Sequence, residues 1–264
     1  MFRLIIIALI LSAFSSRSLA DRDMSDEDMD SNGKIIGGHD AKAGDNPHMC
    51  SLRWDGSHWC GASIIGEQWV LTAAHCVLIG DTYRIKNGTA SLHCGSIARS
   101  TSGLNYNVSK IIYHELYDQH GLHDIALLQI VGKFELGSKY LNKIEMAAKD
   151  TDIAPGSIVK IIGWGMTNEN ITTLPEILQT LDVPVVKRSD CQSIYRDFYN
   201  YTVAETSICA GGEGRDNDSG SPLTYNNTYI GITIWGKHCA RVGYPTVYTR
   251  VAKYRDWIHN HTGI

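Results

Sequence analysis

Hydrophobic residues follow three different patterns along the chain. An apolar run, residues 4–14, follows Arg3 and ends shortly before the small residues 18–20. The run is too short to span a membrane, and the small residues fit the cleavage site of a secretory signal peptide. Residues 21–34 carry six acidic side chains and almost no apolar ones, so they cannot bury enough surface to fold. The pattern predicts a signal peptide over 1–20 and an exposed acidic leader over 21–34.

Downstream of the leader, short segments rich in β-branched and aromatic residues alternate with Gly, Asn and Ser turns. Segments typical of strands are residues 63–73, 158–165 and 228–236. The polar stretch 149–157 is the best candidate linker between two β-rich halves. Helical spacing is clear only near the C-terminus, at Val251, Tyr254, Trp257 and Ile258. The pattern alone predicts an all-β barrel or sandwich with a terminal helix.

Composition narrows the class of protein. The 264 residues are 43% hydrophobic and 20% charged, so the chain can bury a core and wholesale disorder is excluded. The formal net charge of −4 gives no support to a nucleic-acid binder. No later apolar stretch reaches the roughly 18 residues of a transmembrane helix, so no membrane partner is expected. Seven cysteines in a secreted chain predict disulfides, with at least one thiol left over or paired with another chain.

Three short segments carry residues suited to nucleophilic catalysis. His75 ends the motif TAAH after a predicted strand, Asp124 opens the apolar strand DIALL, and Ser219 lies in the tight turn DSGSP. Acyl transfer needs a hydroxyl, an imidazole that takes its proton, and a carboxylate that orients the imidazole. Each residue alone is weak support, but the three in this order with these neighbours are specific.

Several motifs together resemble the chymotrypsin/trypsin-like serine protease family over residues 35–264. They are IIGG at residue 35, CGASII at 60, WVLTAAHC ending at 76, DIALL at 124, GWG at 163, DSGSP at 218 and ARVGYPTVYTRV from 240. The segments KAGDNPHMCSL and CARVGYPTVYTRV are most similar to the mite group 3 allergen trypsins. The resemblance implies two six-stranded antiparallel Greek-key β-barrels, over about 35–148 and 149–250, with a C-terminal α-helix.

The resemblance also implies roles for the catalytic residues. Ser219 would be the nucleophile, His75 the general base and Asp124 the residue that orients the imidazole. The backbone N–H groups of Asn217 and Ser219 would form the oxyanion hole. Peptide or protein substrates follow from this chemistry, and no cofactor is expected. Protease inhibitors or host proteins are further expected partners of a secreted, extracellular monomer.

Activation by cleavage is the role that the resemblance gives to the acidic leader. Cutting after Lys34 would free the α-amino group of Ile35, which would turn inward and pair with Asp218. Such an ammonium–carboxylate pair orders the substrate pocket and the oxyanion hole. The alternative is an exposed acidic leader that is not processed.

The cysteines fit the resemblance in part. Two family pairs are present, Cys60 with Cys76 and Cys191 with Cys209. The family partner of Cys239 is replaced by Arg215, so Cys239 has none. Cys50 and Cys94 are not standard in the family, but both fall in predicted first-barrel strands. We therefore expect a cross-strand bond between Cys50 and Cys94.

Four departures from the family pattern cluster at the expected active site. Asn217 replaces a glycine of the oxyanion hole, which implies strain of roughly 1–3 kcal/mol. Ile234 replaces a serine that would support Asp124. Thr246 replaces a glycine at the mouth of the specificity pocket beside Trp235 and Gly236. Glu213 replaces an Asp at the pocket floor. The acid favours a Lys or Arg substrate side chain, whereas the narrowed mouth favours a small one.

These departures leave two hypotheses open. The complete triad favours a secreted serine endopeptidase with an altered pocket and impaired activity. The changes around the site favour a catalytically inactive paralogue that acts as a binding or decoy protein.

Weaker signals concern metals and glycans. Residues 95–104, where the family often binds calcium, hold no carboxylate, and no metal is expected there. His114, His120 and His123 fit no zinc spacing and are expected at surface or turn positions. Glycosylation sequons begin at Asn87, Asn107, Asn170, Asn200, Asn226 and Asn260.

Overall fold

Strands dominate the part of the chain that the structure describes. This computed structural model describes residues 38–79, 82–83, 89–118, 120–166, 173–199, 202–212, 218–236 and 243–264. The strands are β1 His39–Asp40, β2 Met49–Trp54, β3 Ser57–Ile64, β4 Trp69–Thr72, β5 Leu78–Ile79, β6 Thr82–Tyr83, β7 Ala90–Cys94, β8 Leu104–Tyr113, β9 Ala126–Ile130, β10 Glu145–Met146, β11 Ile158–Gly163, β12 Gln179–Val186, β13 Ser207–Ala210, β14 Pro222–Tyr225, β15 Thr228–Trp235 and β16 Thr246–Arg250. The α-helices are α1 Arg188–Tyr199 and α2 Arg255–Thr262.

The first barrel closes through six antiparallel strands in the order β2-β3-β4-β9-β8-β7. Its strands are apolar on the inward face, and Leu52, Leu71 and Leu128 are fully buried. Cys50 on β2 lies directly opposite Cys94 on β7, and a disulfide joins them. The bond that the sequence suggested is therefore a cross-strand bond inside this barrel.

The second barrel also closes through six antiparallel strands, in the order β12-β11-β14-β15-β16-β13 and back to β12. Two short strands extend its sheet: β1 pairs with β12, and β10 pairs with β15. Together with the first barrel, this confirms the fold expected from the family resemblance. A continuous buried cluster joins the barrels, since Tyr229 and Ile232 pack with the core of the first barrel.

The helices differ in two ways from what the sequence pattern predicts. The C-terminal helix α2 begins at Arg255, because Val251–Lys253 forms a separate 3-10 turn. Helix α1 has no counterpart in the sequence prediction. It buries Cys191 and Tyr195, four positions apart, and the disulfide Cys191–Cys209 fixes it to β13. No helix within the described ranges is long and apolar enough to cross a membrane.

Candidate active site

His75 and Asp124 form a tightly coupled pair at the junction of the barrels. His75 lies in a 3-10 turn, Ala74–Cys76, after β4, and the disulfide Cys60–Cys76 holds this turn to β3. Its backbone N–H donates to Asp124 Oδ1 at 2.9 Å, and its Nδ1 is 2.7 Å from Asp124 Oδ2. The Asp124 side chain is 3% exposed and that of His75 is 30% exposed. A buried carboxylate thus keeps the proton on Nδ1 and leaves Nε2 able to accept one.

Ser219 lies on a turn that is fixed between the two barrels. Its backbone carbonyl accepts a hydrogen bond from Gly61 N at 2.8 Å. Gly220 follows with a φ of 79°, and any side chain there would clash with Thr72 Oγ1 and the Gly61 carbonyl. The same glycine lies against Cys76 Sγ, which places the serine turn beside the His75 turn. Ser219 is half-buried, and its hydroxyl makes no hydrogen bond to the residues that the structure describes.

Asp218 is paired with a second histidine that the sequence analysis did not identify. Its Oδ1 accepts a hydrogen bond from His58 Nε2 at 3.1 Å, and its Oδ2 accepts one from Trp164 N at 3.1 Å. His58 Nδ1 in turn bonds Ser51 Oγ at 2.8 Å. The side chains of His58 and Asp218 are only 3% and 4% exposed. This carboxylate therefore faces the first barrel with both oxygens occupied.

No sequence signal pointed to His58 or Ser51. Asp218 and His58 are 160 residues apart, and His58 belongs to an ordinary strand, β3. Only the closure of the first barrel against the Ser219 turn brings the imidazole to the carboxylate.

Thr246 lies at the expected mouth of the specificity pocket. A Cβ atom on Gly236 would be 3.5 Å from Thr246 Oγ1, so the threonine side chain packs directly against this glycine. The neighbouring Trp235 packs edge-on against Tyr195 of α1, with ring centroids 4.6 Å apart. The Tyr195 hydroxyl donates to the carbonyl of Pro245. Helix α1 and its disulfide thus support the wall that carries Trp235.

A cleft of about 270 Å³ opens beside His75 and Asp124. Ile234 forms part of its wall, and the two Asp124 oxygens are both taken by His75. Burial, with smaller contributions from Asp124 and Asp118, raises the pKa of Tyr117 in this cleft to about 12. The His75 imidazole therefore lines the cleft beside a Tyr117 phenol that stays neutral. Its lining residues are His75, Tyr117, His120, Gly121, Asp124, Ile234, Trp235 and Gly236.

The structure describes only some of the other predicted site residues. Several lie outside the described residues: Lys34, Ile35, Glu213, Arg215, Asn217 and Cys239. Cys60, Cys76 and His75 bring their ligand atoms within 4.8 Å, but the two sulfurs form a disulfide and offer no thiolate to a metal. His120 is exposed and His123 lies in a turn, as expected. The His114 carbonyl accepts a hydrogen bond from Tyr117 N at the start of a turn, which also fits the expectation, although its side chain is only 12% exposed.

Comparison with known proteins identifies the family of the chain. The family model described as Trypsin matches residues 35–258. Trypsin 5G1 of Aedes aegypti is 34% identical over 241 residues, which cover 89% of this chain and 87% of that protein. Trypsin Blo t 3 of Blomia tropicalis is 34% identical over 86% of each chain. Trypsin Tyr p 3.0101 of Tyrophagus putrescentiae is 36% identical, over 86% of this chain and 80% of its own. The similarity to mite group 3 trypsins is confirmed, and the chain belongs to the trypsin family of serine proteases.

Proposed function

We propose that the protein is a secreted serine endopeptidase, made as a proenzyme, with a narrowed specificity pocket and reduced activity. Ser219 Oγ attacks the carbonyl carbon of the scissile peptide bond while His75 Nε2 takes the hydroxyl proton. His75 then gives this proton to the leaving amine, and the acyl group stays on Ser219. Water, deprotonated by His75, hydrolyses the acyl-enzyme. The backbone N–H groups of Asn217 and Ser219 stabilise the oxyanion in both the acylation and the deacylation step.

The observation that carries this proposal is the double hydrogen bond from His75 to a buried Asp124. Distances of 2.9 Å and 2.7 Å hold both the turn and the ring of His75. A histidine with a purely structural role does not need a ring that is 30% exposed and lines a cleft. The serine turn lies beside it, because Gly220 contacts Cys76.

The pairing of Asp218 supports the proenzyme part of the proposal. In the uncut chain Ile35 N is a peptide amide, so no ammonium exists at that position to pair with Asp218. The carboxylate is instead bonded to His58 and to Trp164 N. Cleavage after Lys34 creates a competing cation, and Asp218 turns from His58 to Ile35. That rotation moves the backbone beside Ser219 and completes the oxyanion hole.

Thr246 supports a preference for small side chains before the cut. Its hydroxyl packs against Gly236, where a long Lys or Arg side chain would have to pass. Thr246→Gly is the matched variant, because it removes the side chain that packs against Gly236. We expect it to raise the preference for Lys over Ala substrates by about 10–100-fold in kcat/KM, measured with peptides that differ only in the residue before the cut.

The decisive experiment compares the chain before and after cleavage. The proenzyme is cut with a Lys-specific endopeptidase, an N-terminus at Ile35 is verified by mass spectrometry, and a fluorophosphonate probe is added. We expect labelling at Ser219 in the cut protein, weak labelling in the uncut protein, and none in Ser219→Ala. Absence of labelling in correctly cut, folded protein overturns the proposal.

A second candidate is a binding or decoy protein with the protease fold. Two observations favour it: Ile234 lines the cleft beside Asp124, and the Ser219 hydroxyl makes no hydrogen bond to the described residues. The same experiment separates the two, since rapid labelling of the cut protein overturns the binding-only candidate.

Secretion and glycosylation complete the proposal. The signal over residues 1–20 directs export, where disulfides form and Asn-linked glycans are added. Among the sequons within the described ranges, exposed asparagines begin those at Asn107, Asn226 and Asn260. Asn226 lies at the turn between β14 and β15.

A further inference from the structure

His123, the residue directly before Asp124, has an unusual backbone conformation. Its φ is 53°, in the left-handed region that costs a non-glycine residue about 1 kcal/mol or more. The conformation is locked locally, because Ile125 N donates to the His123 carbonyl at 2.9 Å. This backbone sets the direction from which the Asp124 side chain leaves the chain.

The His123 ring is held on two sides. It stacks on the His114 ring with centroids 4.6 Å apart and planes 13° from parallel. Its Nδ1 is 3.1 Å from the Tyr254 hydroxyl. Burial raises the pKa of Tyr254 to about 12, so this hydroxyl keeps its proton over the working pH range. The strained turn is thus fixed by its own side chain.

Asp124 is therefore held between two independent anchors. On one side is the His123 ring, and on the other Thr249 Oγ1 donates to the Asp124 carbonyl at 2.7 Å. His114 also fixes the turn through its backbone, since its N–H donates to the Ile125 carbonyl at 3.1 Å. The hydrogen bonds from Asp124 to His75 depend on this placement.

Protonation of His114 changes its contacts. Its Nδ1 accepts a hydrogen bond from Leu116 N at 3.2 Å, so the neutral ring carries its proton on Nε2. A second proton must bind Nδ1, and this breaks the Leu116 bond. Burial first, then the charges of His123 and His261, lower the pKa of His114, while Glu115 opposes them from 3.6 Å. Tyr254 and Trp257 are the other ring neighbours.

We propose that His123 is a positioning residue for Asp124, and that its stack with His114 makes this placement sensitive to protonation. While His114 is neutral, its bond from Leu116 N and its stack on His123 hold the turn. Protonation of His114 breaks the Leu116 bond and is opposed by the His123 ring 4.6 Å away. The stack opens, the turn at His123 relaxes, and Asp124 no longer orients His75. The inference rests on the proposed protease function, because it concerns the carboxylate assigned to that reaction.

The first test is the acid limb of the pH profile of kcat/KM for the cut enzyme. Activity in the wild type needs both His75 and His114 unprotonated, so protonation of either lowers it and the limb is steeper than a slope of one in logarithmic units where His114 titrates. His114→Phe keeps a stacked ring that cannot be protonated. We expect it to keep activity within about 3-fold at pH 8 and to give a limb of slope one. A wild-type slope of one overturns the proposal.

The second test separates positioning from folding. His123→Ala removes the stack and should lower kcat about 10-fold with KM unchanged, because only the reacting geometry is lost. His123→Asn tolerates the left-handed conformation and can still bond Tyr254. It should recover most of that kcat. Equal activity in all three proteins at pH 8 overturns the positioning role.

The third test does not depend on activity. Histidine titration by NMR in Ser219→Ala should show a rise in the His114 pKa when His123 is replaced by Asn, because one repelling charge is removed. An unchanged His114 titration overturns the coupling of the pair. Failure of the fluorophosphonate reaction with an intact His114 response overturns the protease function alone, so the two proposals fail separately.

Discussion

Two buried carboxylates, Asp124 and Asp218, each bind a histidine, and the two pairs behave differently. Asp124 binds a His75 side chain that is 30% exposed, whereas Asp218 binds a His58 side chain that is 3% exposed. His75 bonds the acid through Nδ1, whereas His58 bonds the acid through Nε2 and Ser51 Oγ through Nδ1. What distinguishes the two pairs is that the His75 ring lines a cleft, whereas the His58 ring is buried in a closed structural contact.

The largest expected effect tests the pair that faces the cleft. In the cut enzyme, Asp124→Asn should lower kcat about 10⁴-fold, because an amide stabilises the wrong tautomer of His75. Steady-state kinetics on the best peptide substrate measure it, with His58→Gln in the cut enzyme as the matched control. A loss of comparable size in the control would mean that the two pairs do not have separate roles.

A buried histidine outside both pairs, His48, sharpens the comparison because it has no acid partner among the described residues. Its Nε2 lacks a hydrogen bond within the described residues, and burial lowers its pKa to about 4. The unfolded chain binds this proton near pH 6.5 and the folded chain does not. Stability is therefore lost as pH falls from 6.5 to about 4, by about 3 kcal/mol.

Replacing His48 by Leu should remove this part of the acid sensitivity. Urea unfolding at pH 7 and pH 4.5 measures it, as the change in unfolding free energy between the two values. If His48→Leu and the wild type lose the same free energy on acidification, His48 is protonated in the folded state as well.

The smallest expected effect concerns the closed pair. With cleavage blocked by Lys34→Gln, His58→Gln should raise fluorophosphonate labelling of the uncut protein about 10–100-fold, because a hydrogen bond to a charged group contributes about 1.5–3 kcal/mol. Ser51→Ala removes only the outer bond and should give a smaller rise of the same sign. In the cut enzyme both variants should label like the wild type. No rise in the uncut protein would show that the His58 contact does not restrain Asp218.

Short motifs made the triad predictable from sequence. His75, Asp124 and Ser219 each lie within a few residues of the neighbours that set their local backbone, such as Gly220 after the serine. Strand segments were visible for a similar reason, because alternation and β-branching are local properties. Helix α1 was missed although its sequence carries a local signal, since apolar residues stand at helical spacing at positions 191, 194, 195 and 198.

Contacts between distant segments could not be predicted from the sequence alone. The Cys50–Cys94 bond was an expectation from strand assignment, and the barrel register makes the two residues direct neighbours. His114 begins a turn, as expected, but its spacing gave no sign that the end of β8 and the turn before β9 stack their rings.

By itself, the sequence determined the three candidate catalytic side chains, the family of the chain and the β-rich character of its core. Only the tertiary structure decided that Asp218 binds His58, that Thr246 packs against Gly236, and that His123 is held by His114 and Tyr254. Motifs encode what neighbours along the chain impose on one another. Charge pairing, pocket width and ring stacking depend on residues up to 160 positions apart, and only the closure of two barrels brings those residues within contact distance.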